Sequence, residues 1–518
     1  MKTNKIIIVG GGSAGWMTAA TLISQFPNKD ITVIESPKIG TIGVGESTIG
    51  QINKWLSLLD IKDEDFMPYT DASYKLSIKF EDFYQLDDGG FHYPFGIPYE
   101  KEYSKELWNI NKIINPDIPY TDYADCLYDQ MALVNNNTIC QNENKEFPNF
   151  NFKQDTAYHF DATKFGLWLR DNFCLPKGVK HIQEDIVSIE HDDTGIISLN
   201  KMHSADLYID CTGFKSMLLG ETLKEPFESY EEMLPNNSAW ATRVPYSDKE
   251  KQLEPFTCCT AIENGWVWNI PSWERIGTGY VYSNKYVSDE QALEEFKKYL
   301  RKKGHDFTNS EFKNIRMRVG IHKRLFVKNV CAIGLSSGFI EPLESNGLFT
   351  THEFLLNLIR TLNRGDRTNV SRWDKDAFNS ACKNTFRGFA EFVSMHYAMS
   401  HRDDTEYWRD VGNRQYSDEL IEMKPSFVNG HVVYAFNKFR DFKYGSDAGI
   451  HCIATGMRNL PIDHELLKYD NFDNDIIDKL KNQNSYLIDL MNKNKRKWDI
   501  LAKSKPTLFK FLKENIHK

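Results

Sequence analysis

The chain has 518 residues, is 41% hydrophobic and 13% aromatic, and carries a formal charge of −9. This is enough apolar material for two or three domains or one large interleaved unit, and the negative balance argues against a nucleic-acid surface. No stretch approaches the roughly 18 apolar residues of a membrane span. The nine cysteines show no C-x-x-C spacing and are expected to be reduced thiols in a cytoplasmic protein.

Lys5 to Val9 reads as a buried strand that runs into Gly10, Gly12 and Gly15 in a G-x-G-x-x-G pattern. The first glycine permits a tight turn, the second lets a pyrophosphate approach, and the third lets helix and strand pack closely. Ser13 and Ala14 then open a helix to about Phe26, whose free N–H groups point at the phosphates. A second strand, Ile31 to Ile34, ends at Glu35, where a carboxylate can accept hydrogen bonds from both hydroxyls of a ribose. An ordinary βαβ turn would leave Glu35 unexplained. The loop from Gly40 to Gly50 is not a second fingerprint, so no separate nicotinamide site is expected.

Ser73 to Phe80 alternates like a strand, with Lys75 and Lys79 expected on one face. Pattern alone makes both solvated. Residues 84–155, rich in aromatics, Pro, Asp and Asn, read as an irregular insertion or a wall of a substrate site. An amphipathic helix follows from Ala162 through Phe173. Strands are expected at Ile186 to Ile189 and at Ala205 to Ile209, the latter ending at Asp210 as a second cofactor contact. Trp266 and Trp268 fall on one strand face. Glu290 to Lys302 is a charged amphipathic helix. The strand before Gly334 leads to a polar loop, 336–347, that opens a helix over 348–363 and offers N–H groups to an anion. From Asp374 onward the chain is mainly helical, with Lys493 to Lys497 as a solvated basic face. No metal site is expected.

Together these motifs resemble the flavin-dependent halogenases of the tryptophan-halogenase type, from Gly10 to about Pro461. The resemblance rests on the first glycine loop with Trp16, Gly43-Val44-Gly45-Glu46, Tyr74-Lys75 and Tyr158 to Ala162. Asp210-Cys211, the W-x-W-x-I-P stretch Trp266 to Pro271, Glu341 to Ser345, and Arg402 to Trp408 complete it. It implies an α/β fold with α+β elements. A Rossmann-like FAD-binding module of the flavin monooxygenase type (1–85 and 156–375) would be interleaved with a largely helical substrate-binding part (86–155 and 376–518).

The resemblance further implies that reduced FAD, O2 and halide yield hypohalous acid, which halogenates a small aromatic substrate. The reduced FAD would come from a separate NAD(P)H flavin reductase. It implies Lys75 and Glu344 as catalytic residues, with Lys79 and Glu341 structural. FAD would be held by Gly10, Gly12, Ser13, Ala14, Gly15, Glu35, Gly45, Glu46, Gly334 and Ser345, and halide by Asn346 and Gly347. A homo-oligomer is expected.

Three departures stand out: Asn346 where Thr is usual, His92-Tyr93 in reversed order, and no tryptophan in the Ile450 to Met457 segment. The first favours bromide or iodide over chloride, and the others argue against assuming free tryptophan as substrate. Two other readings are an FAD-dependent aromatic hydroxylase, disfavoured by the tryptophan pair, and a non-catalytic flavoprotein sensor, disfavoured by intact Lys75 and Glu344.

Overall fold

A computed structural model describes residues 1–38, 46–364, 368–416, 420, 447–458 and 472–518. The chain forms two compact units. The first contains Met1–Ala72, His159–Ala239 and Ile315–Arg387, and the second Ser73–Tyr158, Trp240–Asn314 and Gly388–Lys518. Residues 73–85 and 240–314 therefore fall with the second unit rather than with the segments that flank the glycine loop. The reason is strand pairing: Ser77–Glu81 is hydrogen-bonded in parallel to Phe256–Ile262, which pulls both stretches into one sheet.

The first unit is built on a six-stranded sheet. Its order is Phe326–Val327, Val330–Ala332, Leu207–Asp210, Lys5–Val9, Asp30–Glu35 and Lys180–Gln183. All neighbours are parallel except the first pair. The run Ile6-Ile7-Ile8-Val9 is buried throughout, as strands covered on both faces must be. Ile7 and Val9 join Ile34, Tyr208, Leu218 and Val330 in one apolar cluster. The helix Ser13–Gln25 packs on the sheet with Trp16, Met17 and Ala20 buried. The helix expected from Ala162 to Phe173 is α-helical only over Ala162–Trp168 and continues as a π-helical turn, Leu169–Cys174. The strand expected at Ile186 to Ile189 begins only at Ile189, because the Asn200 side chain accepts the Val187 and Ser188 N–H groups that a ladder would use.

Five strands lie wholly within the second unit, in the order Ile276–Tyr282, Gly265–Pro271, Phe256–Ile262, Ser77–Glu81 and Gly90–Pro94. Register sorts their side chains into two faces. Trp268 is paired with Cys259, Cys259 with Phe80, and Phe80 with Phe91. With Trp266 and Tyr93 these make an aromatic face. Lys79, His92, Cys258 and Asn269 point to the other side, where Val267 and Tyr280 pack on the helix Asp289–Lys302. That helix starts at a Ser288–Gln291 capping box.

The stretch 84–155 is less irregular than expected. It carries the strand Gly90–Pro94 and the helices Glu106–Ile114, Asp122–Leu127 and Met131–Asn135. The three helices pack against the long helix Asn474–Lys503, with Trp498 edge-on to Tyr99. Lys495, expected in the solvated basic face, is instead paired with Asp122 and lies 3.8 Å from Asp125. Among the described residues no helix is long and apolar enough to cross a membrane.

Candidate active site

The glycine turn sits where the strand Lys5–Val9 leaves the sheet. Gly10 has φ +113°, and a Cβ there would lie 2.2 Å from the Cys211 carbonyl oxygen, so no larger residue fits. A Cβ on Gly15 would lie 1.9 Å from the Gly10 oxygen, so turn and helix are in direct contact. Gly12 caps the helix without a side-chain hydrogen bond, and no acid occupies the first turn. Its N–H groups and dipole are therefore left for an anion. The Ser13 hydroxyl donates to the Ala162 carbonyl at 2.9 Å, so Ser13 has only its main chain to offer. Gly334, with φ +74°, brings the exit of a neighbouring strand onto Ala14: a Cβ there would lie 2.6 Å from the Ala14 Cβ.

Glu35 stands over this turn. A Cβ on Gly11 would overlap its Oε2. Its Oε1 lies 2.6 Å from His181 Nε2 and 3.9 Å from Arg170. His181 in turn contacts Trp16 edge-on, with ring centroids 5.2 Å apart. His181 and Arg170 were not anticipated, because the pairing of Lys180–Gln183 alongside Asp30–Glu35 leaves no local trace in the sequence. A dinucleotide fits this set: a turn that rejects Cβ atoms, an uncapped helix start, and a fixed carboxylate at the ribose distance along the chain.

Asp210 does not serve as the expected second cofactor contact. Its Oδ2 accepts from the N–H groups of Leu218 and Leu219 at 2.8 and 2.9 Å, and its Oδ1 accepts from the Thr212 N–H and hydroxyl. Both oxygens are committed to the fold.

A second cluster in the first unit gathers Glu46, Ser47, Ser345 and Gly347. Ser345 has φ +57°, and its hydroxyl donates to Ser47 Oγ at 3.1 Å. A Cβ on Gly347 would lie 3.1 Å from Glu46 Oε2. Burial, with the Asp161 carboxylate nearby, pushes the Glu46 carboxyl up to about 7. Asn346 is 2% exposed, and neither atom of its amide has a hydrogen-bond partner among the described residues. Glu344 ends the 3₁₀ turn Pro342–Glu344 and is buried, as is Glu341. The helix then runs over Phe349–Asn363. Gly45 lies outside the described residues.

In the second unit the two lysines part company. Lys75 ends the strand Ser73–Lys75, and a new strand, Ser77–Glu81, begins two residues later. At the break the Leu76 N–H donates to the Pro255 carbonyl. The expected shared face does not exist. Lys75 is 0% exposed, with Nζ 5.0 Å from the Phe95 ring centroid. Lys79 retains 30% of its side-chain surface and pairs with Glu81 at 2.7 Å. Burial alone would raise the Glu81 carboxyl, but Lys79 and Lys303 outweigh it and hold it at about 2. His92, opposite Lys79, is 3.0 Å from Ser77 Oγ, and burial pushes its imidazole down to about 3. Tyr93 takes the aromatic face, where Phe392 is edge-on to it and a Cβ on Gly449 would be 2.8 Å from its hydroxyl. Trp266 and Trp268 lie 6.1 Å apart, and their indole N–H groups have no hydrogen-bond partner among the described residues. Among these residues no group of three His, Cys, Asp or Glu side chains is placed to hold a metal ion.

Residues 5–467 match the family model for tryptophan halogenase. The chain is 35% identical to the tryptophan 6-halogenase SttH of Streptomyces toxytricini, over 81% of this chain and 83% of that protein. It is 30% identical to the tryptophan 7-halogenase RebH of Lentzea aerocolonigenes, over 89% and 90%. Among solved structures, apo VirX1 superposes with a TM-score of 0.86 at 37% identity, covering 100% of this chain and 99% of that one. BrvH, a flavin-dependent halogenase from Brevundimonas sp. BAL3, does so with a TM-score of 0.82 at 28% identity, covering 99% of each. With this match over most of its length, and with a glycine turn shaped for a dinucleotide, the chain belongs to the tryptophan halogenase family and is a flavin-dependent halogenase.

Proposed function

We propose that the protein halogenates a small aromatic substrate with Lys75 and Glu344 as its catalytic residues. Reduced FAD, delivered by a separate flavin reductase, supplies the oxygen activation that turns halide into hypohalous acid. The main chain of Gly10, Gly12, Ser13, Ala14 and Gly15 would hold its phosphates and Glu35 its ribose, with Gly45, Glu46, Gly334 and Ser345 completing the cradle. The observation that carries the reading is the burial of Lys75. Withdrawing an ammonium from water is costly, and a merely solubilising lysine would keep contact with water, as the half-buried Lys79 does. Lys75 donates a hydrogen bond to hypohalous acid and holds it against the ring. Glu344, also buried, stabilises the positive charge that develops on the ring and accepts the departing proton.

Lys75→Ala should still consume oxygen with reduced flavin but lose substrate halogenation by on the order of 10²-fold or more, while Lys79→Ala halogenates normally. Wild-type halogenation by Lys75→Ala would overturn the assignment, and loss of oxygen uptake would move Lys75 to the flavin.

Halide is assigned to the Asn346 and Gly347 main chain, with bromide or iodide used better than chloride. A buried amide beside the anion position supports this, because larger, less hydrated anions tolerate an imperfect set of donors. Competition at equal halide concentrations tests it, and a chlorinated major product would refute it. SttH and RebH are tryptophan halogenases. The substrate here is read more broadly, as indole-, phenol- or pyrrole-like, because His92 is turned away from the aromatic face and Tyr93 occupies it.

A further inference from the structure

A cavity of about 330 Å³ lies within the second unit, beside the edge strand Gly90–Pro94. Its floor is the aromatic face of the sheet: Phe80 and Phe91, with centroids 5.3 Å apart, and Phe83 edge-on to Phe80. Gly456 lines it too, and a Cβ there would run into the Phe91 ring at 2.1 Å, so helix backbone closes that side. Tyr84 and Tyr120 also line the cavity, and the Arg458 guanidinium lies over both, 4.6 and 5.1 Å from their centroids. Asp88 pairs with Arg458. Among the described residues that line the cavity these two are the only charged ones, and their formal charges cancel.

Rings on the floor and walls, with a planar guanidinium, match flat molecules. The volume is at the lower end for small-ligand sites. A charged guest would have to shed its hydration and disrupt the Arg458–Asp88 pair, whereas a neutral one need do neither. Neither Lys75 nor Phe95 lines the cavity. We propose that it is a second binding site, for a flat, uncharged aromatic molecule, separate from the position assigned to the reacting ring. The inference does not rest on the halogenation mechanism, because binding alone reports on it.

Three probes share one ring system: 2-naphthol (neutral), 2-naphthoate (anionic) and 2-naphthylmethylammonium (cationic). Their binding to the full chain, without flavin or halide, is measured by calorimetry at neutral pH. The neutral probe should bind tightest. Thr121→Trp fills the cavity and should remove one naphthol site; Thr121 makes no helix-capping bond that the change would break. Asp88→Asn leaves Arg458 unopposed and should raise naphthoate affinity at least tenfold. Arg458→Gln should do the same for the ammonium probe. Unaltered naphthol binding in Thr121→Trp would overturn the proposal. So would an unchanged order of the three probes in both charge variants, each confirmed as folded by its melting transition.

Discussion

In the parallel sheet of the first unit, the carboxylate at a strand end, Asp210, accepts hydrogen bonds from main-chain N–H groups and a threonine hydroxyl one turn away. In the sheet of the second unit, Glu81 is held by side chains from elsewhere: Lys79, Lys303 and Thr260. The first arrangement fixes backbone, so it shapes the turn on which the glycines depend. The second fixes one sheet face and leaves the other free for rings. The partners of Asp210 are neutral main-chain and hydroxyl groups and those of Glu81 include two ammonium groups, so salt screens the second arrangement and not the first.

The sharpest way to break this contrast is Asp210→Ala. It leaves two buried N–H groups without their acceptor, and stability should fall by about 3 kcal/mol or more, read by chemical denaturation. A loss as small as that of an exposed surface substitution would mean the main chain is not held there. Next comes Gly10→Ala. The Cβ meets the Cys211 carbonyl in a left-handed backbone, so about 1–3 kcal/mol of strain should appear as a lower melting temperature together with weaker flavin binding. Gly89→Ala is the matched comparison: φ is also positive, at +84°, but nothing lies within 4 Å of its Cβ, so flavin binding should not change.

Two smaller effects sharpen the difference through pH. The Glu81 carboxyl is held at about 2, below its ordinary 4.5, so its contribution is present above pH 4.5 and is lost as pH falls toward 2. Glu81→Gln should flatten that acid limb of melting temperature against pH; an unchanged limb would remove Glu81 from the linkage. Glu46 has the opposite sign. Its carboxyl is raised to about 7, so the folded chain keeps a proton that the unfolded chain has released, and stability declines as pH rises from 4.5 to 7. Glu46→Gln should therefore be the more stable protein above pH 7 and match the parent below 4.5. A parent that is more stable than the variant at pH 8 would contradict this.

The same contrast separates what was legible in the sequence from what was not. Lys5 to Glu35 forms one continuous strand–turn–helix–strand unit, so spacing alone revealed it. The break at Leu76 was invisible because alternation continues through it, and so Lys75 and Lys79 were read onto one face. The partners of Glu35 and the division of His92 from Tyr93 depend on which strands become neighbours, and only long-range register decides that. Asp210 was misread because a strand-end acid looks alike whether it faces a ligand or its own backbone.

The cysteines bear on how long such an enzyme survives its own chemistry. None of the nine is in a disulfide, and seven are buried: Cys126, Cys174, Cys211, Cys259, Cys331, Cys382 and Cys452. Burial raises the Cys211 thiol to about 12, and others such as Cys331 well above their ordinary range, so the reactive thiolate is scarce. A catalyst that releases a strong oxidant into its own interior is thereby protected against ageing by thiol oxidation. Cys140 and Cys258 are the two partly accessible ones, and burial raises these thiols too, Cys258 to about 12, so the same protection extends to them.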